Sequence, residues 1–143
     1  FVTNKVVKNS VRIALGLQKT LEVGNIHAYR DWGHAKDYVR AMNMIINYKK
    51  ADDWVVATGK ARSVGQMIDY VFKKLNLNRK KHLRINKKFF RPEELKYLQG
   101  DSSKTRKYLK WKPEYTFEGM LDEMLDFWLD FYKNNNHENK FNY

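Results

Sequence analysis

The 143-residue chain carries 28 Lys and Arg against 16 Asp and Glu, a formal net charge of +12, with 43% hydrophobic and 15% aromatic residues. That length fits one domain with a real core. No apolar run approaches the roughly 18 residues of a membrane span and no signal-peptide pattern opens the chain; without cysteine there is no disulfide framework, so the cytoplasm is the expected compartment.

Residues 1–18 place Val2, Val6, Ile13 and Leu17 on one stripe and Val7, Val11 and Ala14 beside it, which predicts an amphipathic helix. Leu21–Val23 reads as a short strand. Gly24 and Asn25 follow as a turn, since both tolerate positive φ, and the chain then extends through Ala28 to Asp31. From His34 to about Tyr48, Tyr38, Met42 and Ile45 with Val39 and Ile46 beside them predict a helix with a broad buried face. Trp54 to Ala57 reads as a buried strand. Ser63-Val64-Gly65-Gln66 matches a capping box, and Val64, Met67, Ile68, Val71, Phe72 and Leu75 carry the helix behind it.

No acidic residue stands between Asp69 and Glu93, whereas Lys and Arg recur from Lys73 to Arg91. Residues 76–90 read as loop apart from an extended piece at His82 to Ile85. Asp101-Ser102-Ser103 caps a helix to Leu109, which Trp111-Lys112-Pro113 stops. Thr116 opens a last helix whose apolar face is Phe117, Met120, Leu121, Met124, Leu125, Trp128 and Phe131. The organisation read from this is one domain, 1–132, and an Asn-rich C-terminal tail, 133–143.

The seven glycines give no G-x-G-x-x-G spacing, so no phosphate-cradling turn of that kind is present. Two Tyr-x-x-x-Lys matches, Tyr70/Lys74 and Tyr108/Lys112, are what chance delivers in a chain with nine Tyr and this many Lys. His27, His34, His82 and His137 lack metal-ligand spacing, so no metal is assigned. No Ser/His/Asp or paired-carboxylate arrangement stands out, and no catalytic residue is named.

Five collinear segments carry a resemblance: Phe1-Val2-Thr3-Asn4-Lys5, Arg30-Asp31-Trp32-Gly33-His34-Ala35-Lys36-Asp37-Tyr38, Ala57-Thr58-Gly59, Arg91-Pro92-Glu93-Glu94 and Leu98-Gln99-Gly100-Asp101. Together they resemble the extended short-chain dehydrogenases and, within them, the GDP-mannose 4,6-dehydratases. The resemblance implies a mixed α/β fold, the C-terminal substrate-binding part of such an enzyme, with helices and short strands. It also implies that this is a piece of a longer chain, the Rossmann half with its cofactor turn and catalytic Thr, Glu, Tyr and Lys being missing. Residues 1–132 would then be a nucleotide-sugar substrate-binding domain, inactive alone.

The implied reaction, a lyase step toward GDP-fucose and related deoxysugars, is internal redox. Hydride leaves C4 of GDP-mannose for NADP, water is eliminated across C5 and C6, and the hydride returns to C6. NADP would sit on the Rossmann half. The family's dimers and tetramers imply a homo-oligomer for the complete enzyme, with neither membrane nor nucleic acid as partner.

A diphosphate is best met by two guanidinium forks, always charged and able to bind oxygens bidentately. Arg30, at the end of an extended stretch, and Arg91, held out of helix by Pro92, are the candidates, and the resemblance puts diphosphate-binding arginines at both. At Glu94 the resemblance implies a carboxylate that accepts ribose hydroxyls. Val2 and Lys5 begin the first helix and match a pair near the nucleotide, although Asn4 replaces an arginine common there. Gly24 and Asn25 would approach the guanine. Plainer roles stand beside each: a solvated arginine, a helix-terminal glutamate, a core valine, a surface lysine, a simple turn. Asp31 and Trp32 read as structural, a capping carboxylate and a core aromatic, as do Trp54, Trp111 and Trp128.

Two other readings remain open. The basic run, with Phe89 and Phe90 beside it, suits a nucleic-acid-binding module. A sister dehydratase or epimerase acting on another nucleotide sugar would share the Arg-Asp turn.

Overall fold

The computed structural model describes residues 1–134. Helix α1 (Val2–Ala14) turns Val6, Val7, Ser10 and Val11 inward. It stops at Gly16, whose φ of +74° lets the Leu17 amide reach back to the Arg12 carbonyl at 2.8 Å. That glycine stop satisfies carbonyls the helix end would orphan. Leu17, assigned to the helix stripe from sequence, therefore lies beyond it and is exposed.

Four three-residue strands follow in two separate pairs. Strand β1 (Leu21–Val23) runs parallel to β4 (Leu83–Ile85), with Val23 opposite Ile85. Strand β2 (Tyr29–Asp31) runs antiparallel to β3 (Ala61–Ser63), with Arg30 opposite Arg62. The helices between and after them are α2 (Ala35–Ile46), α3 (Val64–Lys74), α4 (Arg79–His82), α5 (Ser103–Leu109) and α6 (Phe117–Asn134). The fold is mixed α/β, as expected. Helix α6 includes Lys133 and Asn134; the rest of the Asn-rich tail lies outside the described residues.

Helix α1 packs against both α3 and α6, and their apolar faces make the main core with Leu21, Val23, Met67, Ile68, Val71, Leu121 and Leu125. Burying each such side chain contributes roughly 1.5–3 kcal/mol. The capping box is realised: the Ser63 hydroxyl accepts from the Gln66 amide at 3.0 Å, and the Gln66 side chain accepts from the Ser63 amide at 2.8 Å. It fixes where β3 becomes α3, and so where β3 lies against β2.

Three expectations fail for physical reasons. Helix α2 buries only Asp37 and Ala41, and Val39, Met42 and Ile46 of its supposed buried face are exposed; periodicity reports an apolar face but not what covers it. Trp54–Ala57 forms no ladder among the described residues. The carbonyls of Val55 and Ala57 accept the hydroxyls of Thr105 in α5 (2.6 Å) and of Ser102 just before it (2.9 Å) instead of strand amides. The chain does turn at Gly24 and Asn25, without positive φ: Gly24 is a bend, and the Asn25 side chain accepts the His27 amide at 2.9 Å. Asp31 caps no helix, because His34 takes that role, its ring nitrogen accepting the Lys36 amide at 3.1 Å. The extended piece at 82–85 is β4, but a turn of helix precedes it and a 3-10 turn, Lys87–Phe89, follows.

Candidate functional site

The parallel register of β1 and β4 carries the chain past Ile85 alongside the end of β1. The Asn86 amide donates to the Val23 carbonyl at 2.8 Å, and its side chain donates to Glu22 at 2.9 Å. That places Phe89 against Gly24. A Cβ on Gly24 would lie 2.5 Å from the Phe89 carbonyl oxygen, closer than two such atoms approach, so only glycine fits. On the other side of Phe89 sits Lys5, its ammonium 3.7 Å from the ring centroid.

Asn25, next in sequence, donates through Nδ2 to Glu94 at 2.9 Å. Glu94 also faces the Arg30 guanidinium at 3.5 Å, and both side chains are partly withdrawn from water, 25% exposed for Arg30 and 20% for Glu94. Arg30 is held further by the carbonyls of Tyr29 and Leu95, each 2.7 Å from its Nη1. The guanidinium thus bridges β2 to the segment carrying Glu94, and the Tyr29 and Leu98 amides add backbone bonds to that segment at 2.9 and 3.1 Å.

Of the seven residues singled out from sequence, Gly24, Asn25, Arg30 and Glu94 thus meet, and Lys5 joins them through Phe89. Arg91 lies on the segment between Phe89 and Glu94, exposed and without an ion pair among the described residues. Val2 packs on the main core at the first turn of α1, where Phe1 offers no side-chain cap and no acidic residue answers the free amides. The Lys5 ammonium likewise makes no ion pair or hydrogen bond inside the described residues.

Sequence reasoning missed two participants. Phe89 stood out only as an aromatic in a basic run, since nothing local shows that β4 pairs with a strand some sixty residues earlier. Asp31 accepts the amides of Thr58 at 3.0 Å, Gly59 at 2.9 Å and Gly100 at 3.3 Å. One carboxylate therefore gathers three of the five resemblance segments behind Arg30.

The two Tyr-x-x-x-Lys matches stay accidental. Burial, and then its hydrogen bond to Asp122, push the Tyr70 phenol above its ordinary pKa, the opposite of an activated base. Lys74 binds the same carboxylate at 3.0 Å, which ties α3 to α6. A cavity of about 290 Å3 between Asn4 and α6, lined by Met120, Met124, Phe127 and Trp128 with His34 and Glu123, includes none of the seven residues. Among the described residues no three His, Asp or Glu side chains converge as metal ligands, and no helix is long and apolar enough to cross a membrane.

A family profile described as GDP-mannose 4,6 dehydratase matches residues 1–124. The chain belongs to that family. It is 45% identical over 126 residues to GDP-mannose 4,6 dehydratase 1 of Arabidopsis thaliana, covering 88% of this chain and 35% of the relative. To the GDP-mannose 4,6 dehydratase of Homo sapiens it is 35% identical over 142 residues, covering 87% of this chain and 38% of the relative. The chain therefore spans little more than a third of the length of these relatives. In fold it superposes on RMD from Pseudomonas aeruginosa complexed with NADPH, with a TM-score of 0.82, 22% identity, and coverage of 91% of this chain and 43% of that one. A UDP-glucose 4-epimerase from Bifidobacterium longum in complex with NAD+ and UDP gives 0.70 at 21% identity, with coverage of 92% and 41%. Membership in the GDP-mannose 4,6-dehydratase family leaves the nucleic-acid reading without support, and some of the basic run is already occupied: Arg79 pairs with Asp69 and Lys74 with Asp122.

Proposed function

We propose that this chain is the nucleotide-sugar-binding part of a GDP-mannose 4,6-dehydratase, gripping the GDP portion of GDP-mannose. The observation that carries this reading is the hydrogen-bonded cluster Asn25–Glu94–Arg30, which joins residues up to 69 positions apart beside the uncompensated cations Lys5 and Arg91. A partly desolvated guanidinium held by two carbonyls loses little side-chain freedom on meeting a phosphate, and charge interactions there exceed those at an open surface. Arg91, free and always charged, is the second fork of the diphosphate clamp. Glu94 retains lone pairs beyond those engaged by Asn25 and Arg30, which suit the two ribose hydroxyls. In this reading Gly24, Asn25, Val2 and Lys5 are the residues assigned to the base.

The residues present do not form a nicotinamide-dinucleotide site. Such a site needs a glycine-rich strand-to-helix turn with free amides, whereas the turn from β3 into α3 has its amides closed by the capping box. In this reading NADP, which receives and returns the hydride, is held elsewhere in the complete protein. What this chain contributes is substrate grip and orientation, the entropic share of catalysis; alone it is inactive. The complete enzyme is read as a cytoplasmic homo-oligomer.

Isothermal calorimetry with GDP-mannose tests the reading. Arg91→Ala should weaken binding about 10- to 100-fold, the value of lost charge-assisted hydrogen bonds, and GDP sugars should compete better than UDP or dTDP sugars. An Arg91→Ala protein that binds as tightly as the parent would remove Arg91 from the site; better competition by UDP or dTDP sugars would favour a sister enzyme.

A further inference from the structure

Lys5 is an ammonium on the inner side of a helix start that has no anion, carbonyl or hydroxyl to answer it among the described residues. Its one close neighbour of opposite electrostatic character is the face of Phe89, 3.7 Å away. A lysine side chain has four rotatable bonds, and an ammonium resting on an aromatic face trades much of that freedom for the attraction of the ring quadrupole. Phe89 is itself held from behind. Its amide donates to Asn86 at 3.1 Å, Asn86 is tied to Val23 and Glu22, and its carbonyl lies against Gly24 so tightly that no side chain fits there. The backbone that carries the ring is thus held in place, and about half of the residue's surface remains open.

We infer that Phe89 is a positioning residue of the nucleotide site: its ring holds the Lys5 ammonium so that the remaining N–H donors face an oxygen acceptor of the bound nucleotide. The inference rests on the reading of this cluster as a GDP site. An ammonium only donates, so the pair recognises an acceptor on the ligand, and the ring contributes without touching that acceptor. Its contribution should therefore vanish when Lys5 is neutral, which a merely structural or merely stacking ring would not do.

The test is a double-mutant cycle in the complete protein, read by calorimetry with GDP. Phe89→Leu keeps apolar bulk but removes the quadrupole, and should weaken GDP binding about threefold to tenfold, the range a partly desolvated cation–π contact commands. Phe89→Tyr and Phe89→Trp should bind within about twofold of the parent or tighter, since both rings present a comparable or stronger negative face. In a Lys5→Met background, Phe89→Leu should change affinity less than twofold, the non-additivity that marks direct coupling. Additive losses in the cycle, or a Phe89→Tyr protein as weak as Phe89→Leu, would overturn the inference while GDP binding by the parent left the site reading intact. A parent that fails to bind GDP would overturn both.

Discussion

Asp37 accepts from two backbone amides and a guanidinium, and replacing it with Asn measures what it holds. The side chain is 2% exposed. It accepts the Glu114 amide at 3.0 and 3.1 Å, the Tyr115 amide at 3.1 Å and the Arg40 guanidinium at 2.9 Å. It pins the start of α2 to the turn before α6. An asparagine offers one acceptor oxygen and turns an N–H2 group toward donors, so at least one part-buried amide is orphaned, at about 1–3 kcal/mol. Arg40 is 34% exposed and keeps Glu114 at 3.0 Å, so its lost partner adds only about 1 kcal/mol after solvent screening. Asp37→Asn should therefore cost about 2–4 kcal/mol. Urea denaturation followed by tryptophan emission reads the cluster itself, because the Trp111 indole, 1% exposed, donates to the Asp37 carbonyl at 3.0 Å. The midpoint should fall with an unchanged m-value. The cost also depends on pH. Burial works to raise the Asp37 pKa, but the Arg40 guanidinium and the Glu114 and Tyr115 amides outweigh it and hold the folded value below the ordinary one. A depressed folded pKa stabilises the fold above the unfolded pKa, about 3.9, and that stabilisation is lost as pH falls through the folded value. The gap between parent and Asp37→Asn should stay constant from neutral pH to about pH 5 and close below about pH 4. A loss under about 1 kcal/mol at neutral pH, or a gap that widened in acid, would refute the reasoning.

Gly24→Ala places a methyl 2.5 Å from the Phe89 carbonyl oxygen, so β1 and the 86–89 turn must separate, at about 1–3 kcal/mol. Thermal melting should register that loss and GDP titration a weaker site; an unchanged pair of values would show that the contact is slack. Ser10 is fully buried, and its hydroxyl has no hydrogen-bond partner among the described residues. Ser10→Ala should leave urea stability unchanged or raise it by up to about 1 kcal/mol, and a comparable loss would mean that the hydroxyl is satisfied after all.

What could be read from sequence was local chemistry. The α3 capping box, the stripe of α1 as far as Ile13 and the apolar face of α6 each depend on residues within a few positions of one another, and the structure realises them. The association of Gly24, Asn25, Arg30 and Glu94 was accessible through resemblance alone, because the contacts span 64 residues or more. Trp54–Ala57 shows the limit from the other direction. β-branched and aromatic composition marks an extended backbone, but whether its carbonyls meet strand amides or the hydroxyls of Ser102 and Thr105 depends on which element lies beside it. The face of α2 carries the same lesson: Val39, Met42 and Ile46 have helical spacing, yet nothing among the described residues covers them.

The join between α1 and α6 has a consequence for how this chain comes into being. Asn4 accepts the Trp128 indole N–H at 3.0 Å, and Arg12 reaches the Tyr132 hydroxyl at 3.4 Å, contacts that span 124 and 120 positions. Strand β1 likewise waits for residues 83–85 before it has a neighbour. Such long-range closures make folding slow. During synthesis α1 meets α3 first, and its face toward α6 would stay uncovered until α6 leaves the ribosome, at roughly 5–20 residues per second. A stop codon anywhere before α6 should therefore yield an aggregation-prone product rather than a smaller working domain.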